Sequence, residues 1–211
     1  VRHALPVLAA LGARATFFLS GRALHGLGAY WWVALERMIT ERGLRGACQT
    51  LGVAGGSPTA LADACVGTPV AERLGALAAS VPAQAPAKSD PRVLRDAGMT
   101  VGFHTLHHPA LTTLADAELD AALADGRHAL AAAAGAPVDL LAYPHGLADR
   151  RVAQHARAAG YRAAFRMGAR PVSAGSDRFL LPRWDPGSLE PAALVAHLAL
   201  RLNYPDAGPR G

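Results

Sequence analysis

The sequence predicts an α/β protein with parallel strands, and two observations support this. Short apolar or β-branched segments recur along the 211 residues, and each is joined to the next by a segment with helical periodicity. Several of the strand segments also end in polar residues. Strands that alternate with helices form parallel βα units, and about five such strands fit a barrel or an open α/β sheet.

The first predicted elements are a helix and a strand. Residues 3–11 place Leu5, Leu8 and Leu11 on one helical face, and residues 15–19 form a short β-branched and aromatic run that is typical of a buried parallel strand. The same criteria predict later helices at 91–97, 116–134, 148–159 and 189–201, and later strands at 100–104, 138–143, 161–166 and 179–183.

Residues 30–42 predict an amphipathic helix, because Trp31, Leu35 and Ile39 recur at helical spacing. Trp31 and its neighbour Trp32 can serve as core residues or as a ligand platform. Core burial is favoured, since tryptophan is highly buried on average.

Residues 43–90 are rich in Gly, Ala, Ser and Pro, and predict at most one helix, around 69–79. A loop region of this length inside a compact domain is usually functional or mobile. We therefore predict a single domain over residues 1–211 that carries an insertion or lid at about 43–90.

Composition excludes several classes of protein. The formal charge of +5 comes from scattered arginines without a block of like charges, so we expect no nucleic-acid partner. No apolar run approaches the roughly 18 residues of a membrane span. Cys48 and Cys65 have no CxxC partner, which excludes a zinc knuckle and leaves a disulfide open.

Three histidines follow a predicted strand in the segment 102–109, which reads GFHTLHHP. His104 and His108 are four residues apart, so a helical turn or a tight loop can direct both imidazoles to one metal ion. On spacing alone, surface or core histidines stay open as the alternative. A zinc protease would need glutamate in place of Thr105, so that class is excluded.

A second strand ends in a Tyr-Pro turn within the segment 140–146, which reads LLAYPHG. Pro144 has no amide donor, whereas the backbone N–H of Tyr143 is predicted to be free to point at a ligand. Such a donor stabilises the oxyanion that forms when water attacks an acetamide. A simple turn with a packed tyrosine is the alternative.

The third segment, residues 180–186, reads LLPRWDP and ends a strand in charged and aromatic groups. Arg183 can orient a catalytic carboxylate through a bidentate pair, and Trp184 can stack on a sugar. A structural salt bridge is an equal alternative for Arg183.

In their order, these segments resemble the motifs of the polysaccharide deacetylase family, also called the NodB-homology or carbohydrate esterase 4 group. Its His-Ser/Thr-x-x-His motif matches residues 104–108, and its Arg-x-Tyr/Pro-Pro-x-Gly motif matches 142–146 with Ala142 in place of arginine. The Leu-Pro-Arg run ending at Arg183 is similar to a segment near the C-terminus of many members, and the pair 31–32 resembles a Trp-Trp helix in some bacterial members.

The resemblance implies a distorted (β/α) barrel and a hydrolase that removes acetyl groups from N-acetylated sugars of a glycan. It implies a divalent metal, first of all Zn²⁺, held by His104 and His108. Combined with the arguments from the residues themselves, it gives catalytic roles to Tyr143, Arg183 and His145. The residues expected to bind substrate are Thr105, His107, Pro144 and Trp184.

Two departures from the family pattern qualify this prediction. The family's Thr-Phe-Asp-Asp-Gly motif, which supplies a base and a third metal ligand, has no counterpart in this sequence. We therefore expect a barrel that lacks its first strand because the sequence is truncated at its N-terminal end, and we expect impaired turnover. The final Leu-His motif is also missing, since His197 lies in a helical pattern and is expected at the surface. His107 and His145 are the nearest substitutes for the general acid.

Two alternatives therefore stay open. One is a non-catalytic carbohydrate-binding relative on the same fold, and the other is an unrelated α/β protein with incidental histidines. The resemblance favours an extracytoplasmic or cell-envelope location, with a cytoplasmic one open.

Overall fold

A computed structural model of the chain describes residues 3–25, 27, 29–65, 68–79, 90–187 and 189–203. The chain divides into two compact units, which are considered separately. One runs up to Gly21 and resumes at Asp90, and the other is Arg22–Ser89. In chain order the helices are α1 (Ala4–Ala10), α2 (Trp31–Leu51), α3 (Pro58–Cys65), α4 (Pro69–Ala79), α5 (Pro91–Asp96), α6 (Asp116–Ala124), α7 (Arg127–Ala134), α8 (Arg150–Ala158) and α9 (Pro191–Asn203).

The discontinuous unit contains a parallel sheet, as the alternating pattern predicted. Its strands pair in sequence order and are β1 (Thr16–Leu19), β2 (Thr100–Phe103), β3 (Leu140–Ala142), β4 (Ala163–Met167) and β5 (Leu181–Arg183). Helices lie in the connections between the first four strands, whereas the connection from β4 to β5 contains no helix. Side-chain caps define the starts of two of these helices. Asp90 accepts a hydrogen bond from the N–H of Arg92, and Asp149 accepts one from the N–H of Val152.

One face of the sheet forms the apolar core of this unit. Val101, Phe103 and Leu141 are buried there, together with leucines of α6 and α7. Because successive strand residues point to opposite faces, their neighbours Gly102 and Ala142 belong to the other face. That second face carries the candidate site.

The second face is concave. The ring of Phe18 on β1 meets that of Phe165 on β4, with centroids 5.5 Å apart, and the Arg183 guanidinium on β5 lies 5.7 Å from the Phe18 ring. In a flat sheet, β1 and β5 would be about 19 Å apart, four spacings of about 4.8 Å. The sheet is therefore strongly curled, in agreement with the predicted barrel-type fold, although the described strands form an open row.

Gly102 makes this curvature possible at the centre of β2. A Cβ atom at this position would lie 2.5 Å from two atoms of the Phe18 ring and 3.1 Å from the Leu140 carbonyl oxygen. The absence of a side chain lets Phe18 cross over β2 toward β4.

The helical unit is built from α2, α3 and α4 around its own apolar core. Leu35, Leu61, Leu74 and Cys65 are buried in it. Gly43, with φ of +69° and ψ of 165°, interrupts α2. No helix in the described part of the chain is long and apolar enough to span a membrane.

Two predicted elements were wrong. The single long helix at 116–134 is two helices, because the backbone is extended at Asp125 and left-handed at Gly126, where φ is +81°. The segment 43–90 contains more helix than predicted, since α2 continues to Leu51 and α3 precedes α4. Here burial of small and aliphatic side chains in a shared core compensates for weak local signals.

Candidate active site

Two imidazoles converge where β2 leaves the sheet. His104 Nε2 and His108 Nε2 are 3.1 Å apart, and the His104 Nδ1 lies 2.7 Å from the carbonyl oxygen of Ala142 on the neighbouring strand. A carbonyl can only accept, so the Nδ1 of His104 carries the proton and its Nε2 presents a lone pair toward His108. The ring of His104 is thus fixed in both orientation and tautomer.

The loop that carries His108 is held in an unusual backbone conformation. Thr105 and His108 have φ of +53° and +57°, a region that non-glycine residues rarely occupy and that a β-branched residue strongly disfavours. The Thr105 hydroxyl accepts a hydrogen bond from the His108 N–H at 3.1 Å. Thr105 was predicted to bind substrate. It is fully buried, so its side chain supports the loop and has no exposed surface for a substrate.

The spacing of the two nitrogens fits a divalent metal. Zn–N bonds of about 2.0–2.1 Å at a tetrahedral angle place two ligand nitrogens about 3.3 Å apart, close to the observed 3.1 Å. The carbonyl on the Nδ1 of His104 is the kind of outer partner that metal-binding histidines usually have. Among the described residues, however, no group of three or more His, Cys, Asp or Glu side chains is arranged to hold a metal ion.

His145 lies beside the pair. Its ring centroid is 4.5 Å from that of His108 at an interplanar angle of 71°, and its ring is hydrogen-bonded to the His108 backbone. It belongs to a single 3₁₀ turn, Pro144–Gly146, in which its own φ is +57°. A third imidazole therefore lies against one of the two predicted metal ligands.

Burial keeps the three imidazoles neutral. Desolvation is the largest cause of the lowered pKa of His108, which falls from 6.5 to about 3, and the nearby His104 and His145 lower it further. Burial also lowers the pKa of His104, where Arg183 adds to the effect, and the pKa of His145. A neutral imidazole is the form that binds metal ions and accepts protons.

Tyr143 does not provide the free backbone donor predicted from the sequence. Its N–H donates to the Phe165 carbonyl at 2.9 Å, which continues the ladder between β3 and β4. Its side chain is fully buried, with the hydroxyl donating to the Phe179 carbonyl at 2.8 Å. Pro144 is also buried. These two residues shape the turn that presents His145, and neither has a surface for substrate.

The remaining predicted residues have different surroundings. The Arg183 guanidinium lies over Phe18 on the concave face, close enough to His104 to lower its pKa. Trp184 stacks on His197 of α9, with ring centroids 4.3 Å apart and an angle of 11°. His197 was expected at the surface, and its helical spacing gave no signal of this long-range contact. His107 is exposed, whereas His104 and His108 are partly buried.

The middle of the chain is similar to a known protein family. A family model described as polysaccharide deacetylase matches residues 60–164, just under half of the chain, including both histidine-containing turns. No curated protein sequence matches the chain.

Several solved structures are similar in fold. IcaB from Ammonifex degensii is 17% identical with a TM-score of 0.54, over 94% of this chain and 66% of that one. A family 4 carbohydrate esterase from Streptomyces lividans, in complex with acetate, is 20% identical with a TM-score of 0.42, over 78% of this chain and 54% of that one. A CE4 family pseudoenzyme from Bacillus anthracis is 19% identical with a TM-score of 0.42, over 76% of this chain and 36% of that one. The chain thus spans about half to two thirds of the first two proteins.

Proposed function

The chain belongs to the polysaccharide deacetylase family, and on that premise we propose that it hydrolyses the acetamide of N-acetylated sugars in a glycan, with a divalent metal as cofactor and zinc as the first candidate. The observation that carries the proposal is the 3.1 Å approach of His104 Nε2 to His108 Nε2 on the concave face of the sheet. From the family alone, we propose an extracytoplasmic or envelope glycan as the substrate class.

His104 and His108 would hold the cation in this proposal. When bound, a divalent ion polarises the acetyl carbonyl and makes water more acidic. The chain supplies the geometry, because the Ala142 carbonyl orients His104 and the Thr105 hydroxyl anchors the backbone of His108. Neither ring has to lose a proton at neutral pH before it can bind, since burial already keeps both neutral.

His145 is the proposed proton carrier. Its neutral ring accepts a proton from the attacking water, and the resulting imidazolium gives that proton to the departing sugar amine as the carbon–nitrogen bond breaks. The lowered pKa of His145, which burial causes, favours the second of these transfers. Arg183 adds positive charge across the concave face, where negative charge develops on the acetyl oxygen.

Metal content and acetate release test the proposal together. The protein should be purified metal-free, reloaded with Zn²⁺, and assayed with an N-acetylglucosamine oligomer. We expect His104→Ala and His108→Ala each to reduce bound metal and to abolish acetate release. His128→Ala is the matched control, because His128 is exposed on α7. Equal metal content in all four proteins would refute ligation by the pair.

A non-catalytic glycan-binding protein is the second candidate. It is favoured by one observation, namely that no third metal-binding side chain joins His104 and His108 among the described residues. Catalytic zinc sites usually have three protein ligands. Glycan binding without acetate release by the metal-loaded protein would support this candidate over the first.

A further inference from the structure

The helical unit contains both cysteines of the chain, Cys48 on α2 and Cys65 on α3. Both are free thiols in this structure. Cys65 is completely buried in the apolar core of the unit, and Cys48 is half-buried and packs against the same core. The sequence left a disulfide between them open, and the structure brings both thiols to one cluster.

Both cysteines lie on the core-facing sides of their helices. On α3, Leu61 and Cys65 are one turn apart and fully buried, so they share one face of the helix. On α2, Leu51 follows Cys48 by about one turn and is buried in the same core. The two helices pack against each other and are joined by the short connection 52–57.

Gly55, in this connection, links the two positions. The Cys48 thiol donates a hydrogen bond to the Gly55 carbonyl oxygen, with Sγ and O 3.6 Å apart. A Cβ atom at Gly55 would lie 2.7 Å from the Cβ atom of Leu61, so the backbone of Gly55 is in close contact with α3. The Cys48 sulfur is thereby held beside the turn of α3 at Leu61, and Cys65 follows on the next turn.

The two thiols also influence each other electrostatically. Burial is the largest cause of the raised pKa of Cys65, and the nearby Cys48 raises this pKa further. A like charge has such an effect only at short range. Because Cys65 is buried and Cys48 is half-buried, a reagent in solution reaches Cys48 first.

We propose that Cys48 and Cys65 form a disulfide that links α2 to α3 when the protein meets a small disulfide oxidant of the glutathione class. The Cys48 thiolate attacks one sulfur of the oxidant, and the other sulfur leaves as a thiolate that takes up a proton. The Cys65 thiolate then attacks Cys48 Sγ in the mixed disulfide, and the second half of the oxidant leaves in the same way. Two protein thiols are thus oxidised to one disulfide, and one disulfide reagent is reduced to two thiols.

The bond would stabilise the connection between α2 and α3. It closes a loop that contains Gly52, Gly55 and Gly56, and glycine loses more backbone freedom on folding than any other residue. Closing a loop of about this size lowers the equilibrium constant of unfolding by about a hundredfold, which corresponds to about 3 kcal/mol. Disulfides persist in oxidising compartments, so the bond suits the extracytoplasmic location proposed above.

Thiol trapping in the full chain tests the pair. The reduced protein is equilibrated with reduced and oxidised glutathione in native buffer, then unfolded, alkylated with N-ethylmaleimide and weighed by mass spectrometry. We expect a major product that carries neither maleimide nor glutathione. Cys48→Ser and Cys65→Ala each leave one thiol, which must carry one of the two labels. A natural chain that keeps two maleimides or two glutathiones, or that forms thiol-linked dimers, overturns the pair.

A comparison with the unfolded chain tests the geometry, because two cysteines at this spacing can also pair without a fold. Folding and bond formation are linked, so the equilibrium constant for forming the disulfide should be about a hundredfold larger in native buffer than in concentrated urea. The matched control is Thr50→Cys combined with Cys48→Ser, because Thr50 is exposed on α2. This variant should show no advantage in native buffer.

Equal constants for the natural pair in native buffer and in urea would refute the proposed proximity. The histidines and acetate release do not enter this test, so its result is independent of the proposed deacetylase activity.

Discussion

Gly146 is the residue of the candidate site whose replacement has the most calculable effect. Its φ is +68°, and a Cβ atom there would lie 2.6 Å from the Cβ of Met167 and 2.9 Å from the Met167 backbone nitrogen. The Met167 side chain is 43% exposed and can move, but its nitrogen belongs to β4 and cannot. Gly146→Ala therefore combines a left-handed alanine, which costs about 1–2 kcal/mol, with overpacking of about 1–3 kcal/mol.

Gly160→Ala is the matched control. Gly160 has a similar φ of +75°, but nothing lies within 4 Å of its Cβ position. We expect urea denaturation to give a loss of about 1–2 kcal/mol for this variant and about 2–5 kcal/mol for Gly146→Ala. Met167→Ala removes the Cγ atom but keeps the Cβ atom and the backbone nitrogen, so combining it with Gly146→Ala should recover only a minor part of the larger loss. Equal losses in the two glycine variants would refute the argument from the Met167 contact.

Three further predictions concern the residues around the histidine pair. Thr105→Val, compared with Thr105→Ser, should lower the free energy of unfolding by about 1–3 kcal/mol and weaken zinc binding in a chelator competition, because the partly buried His108 N–H loses its acceptor. Tyr143→Phe should destabilise the protein by about 1–3 kcal/mol in urea but keep kcat, because its hydroxyl binds a buried carbonyl; a lost kcat with unchanged stability would contradict a structural role. The pKa of His108 is lower in the folded protein than in the unfolded chain, so between pH 6.5 and about 3 the unfolded chain binds a proton that the folded protein does not. The free energy of unfolding of the metal-free protein should therefore be highest above pH 6.5 and fall as the pH drops toward about 3. Urea titrations at several pH values should show a weaker decline for His108→Gln, and an equal decline would rule out this histidine as the cause.

The fold was predictable because its signals are local. The strands lie in short, mostly apolar segments of three to five residues. Parallel strands need long crossovers that are usually helical, so the alternation of strands and helices predicts parallel units. Asp125-Gly126 was read as part of one helix because a single glycine is tolerated in helical patterns. The helices of the helical unit were harder to predict from the sequence, because its alanine-rich and glycine-rich stretches show little periodicity. These helices depend on a shared apolar core.

The candidate site was predictable only in part, and for a physical reason. The spacing of His104 and His108 is a local signal, and it led to the observed convergence. The state of the Tyr143 amide depends on how β4 pairs with β3, which no local pattern encodes. The stacking of Trp184 on His197 is likewise a long-range contact between a strand end and a helix.

The strain in the two turns is best explained by the position of the rings. Thr105, His108 and His145 have positive φ values, although none is a glycine, and such conformations cost of order 1–3 kcal/mol each and persist only where surrounding contacts enforce them. Here the enforcing contacts are identifiable, namely the Thr105 hydroxyl on the His108 N–H and the missing side chain at Gly146. An ordinary turn would avoid this cost but would turn the imidazoles elsewhere. The strained turns thus lower the stability of the fold but hold three neutral imidazoles together. Neutral imidazoles in this position suit the cation binding and the proton transfer that we propose.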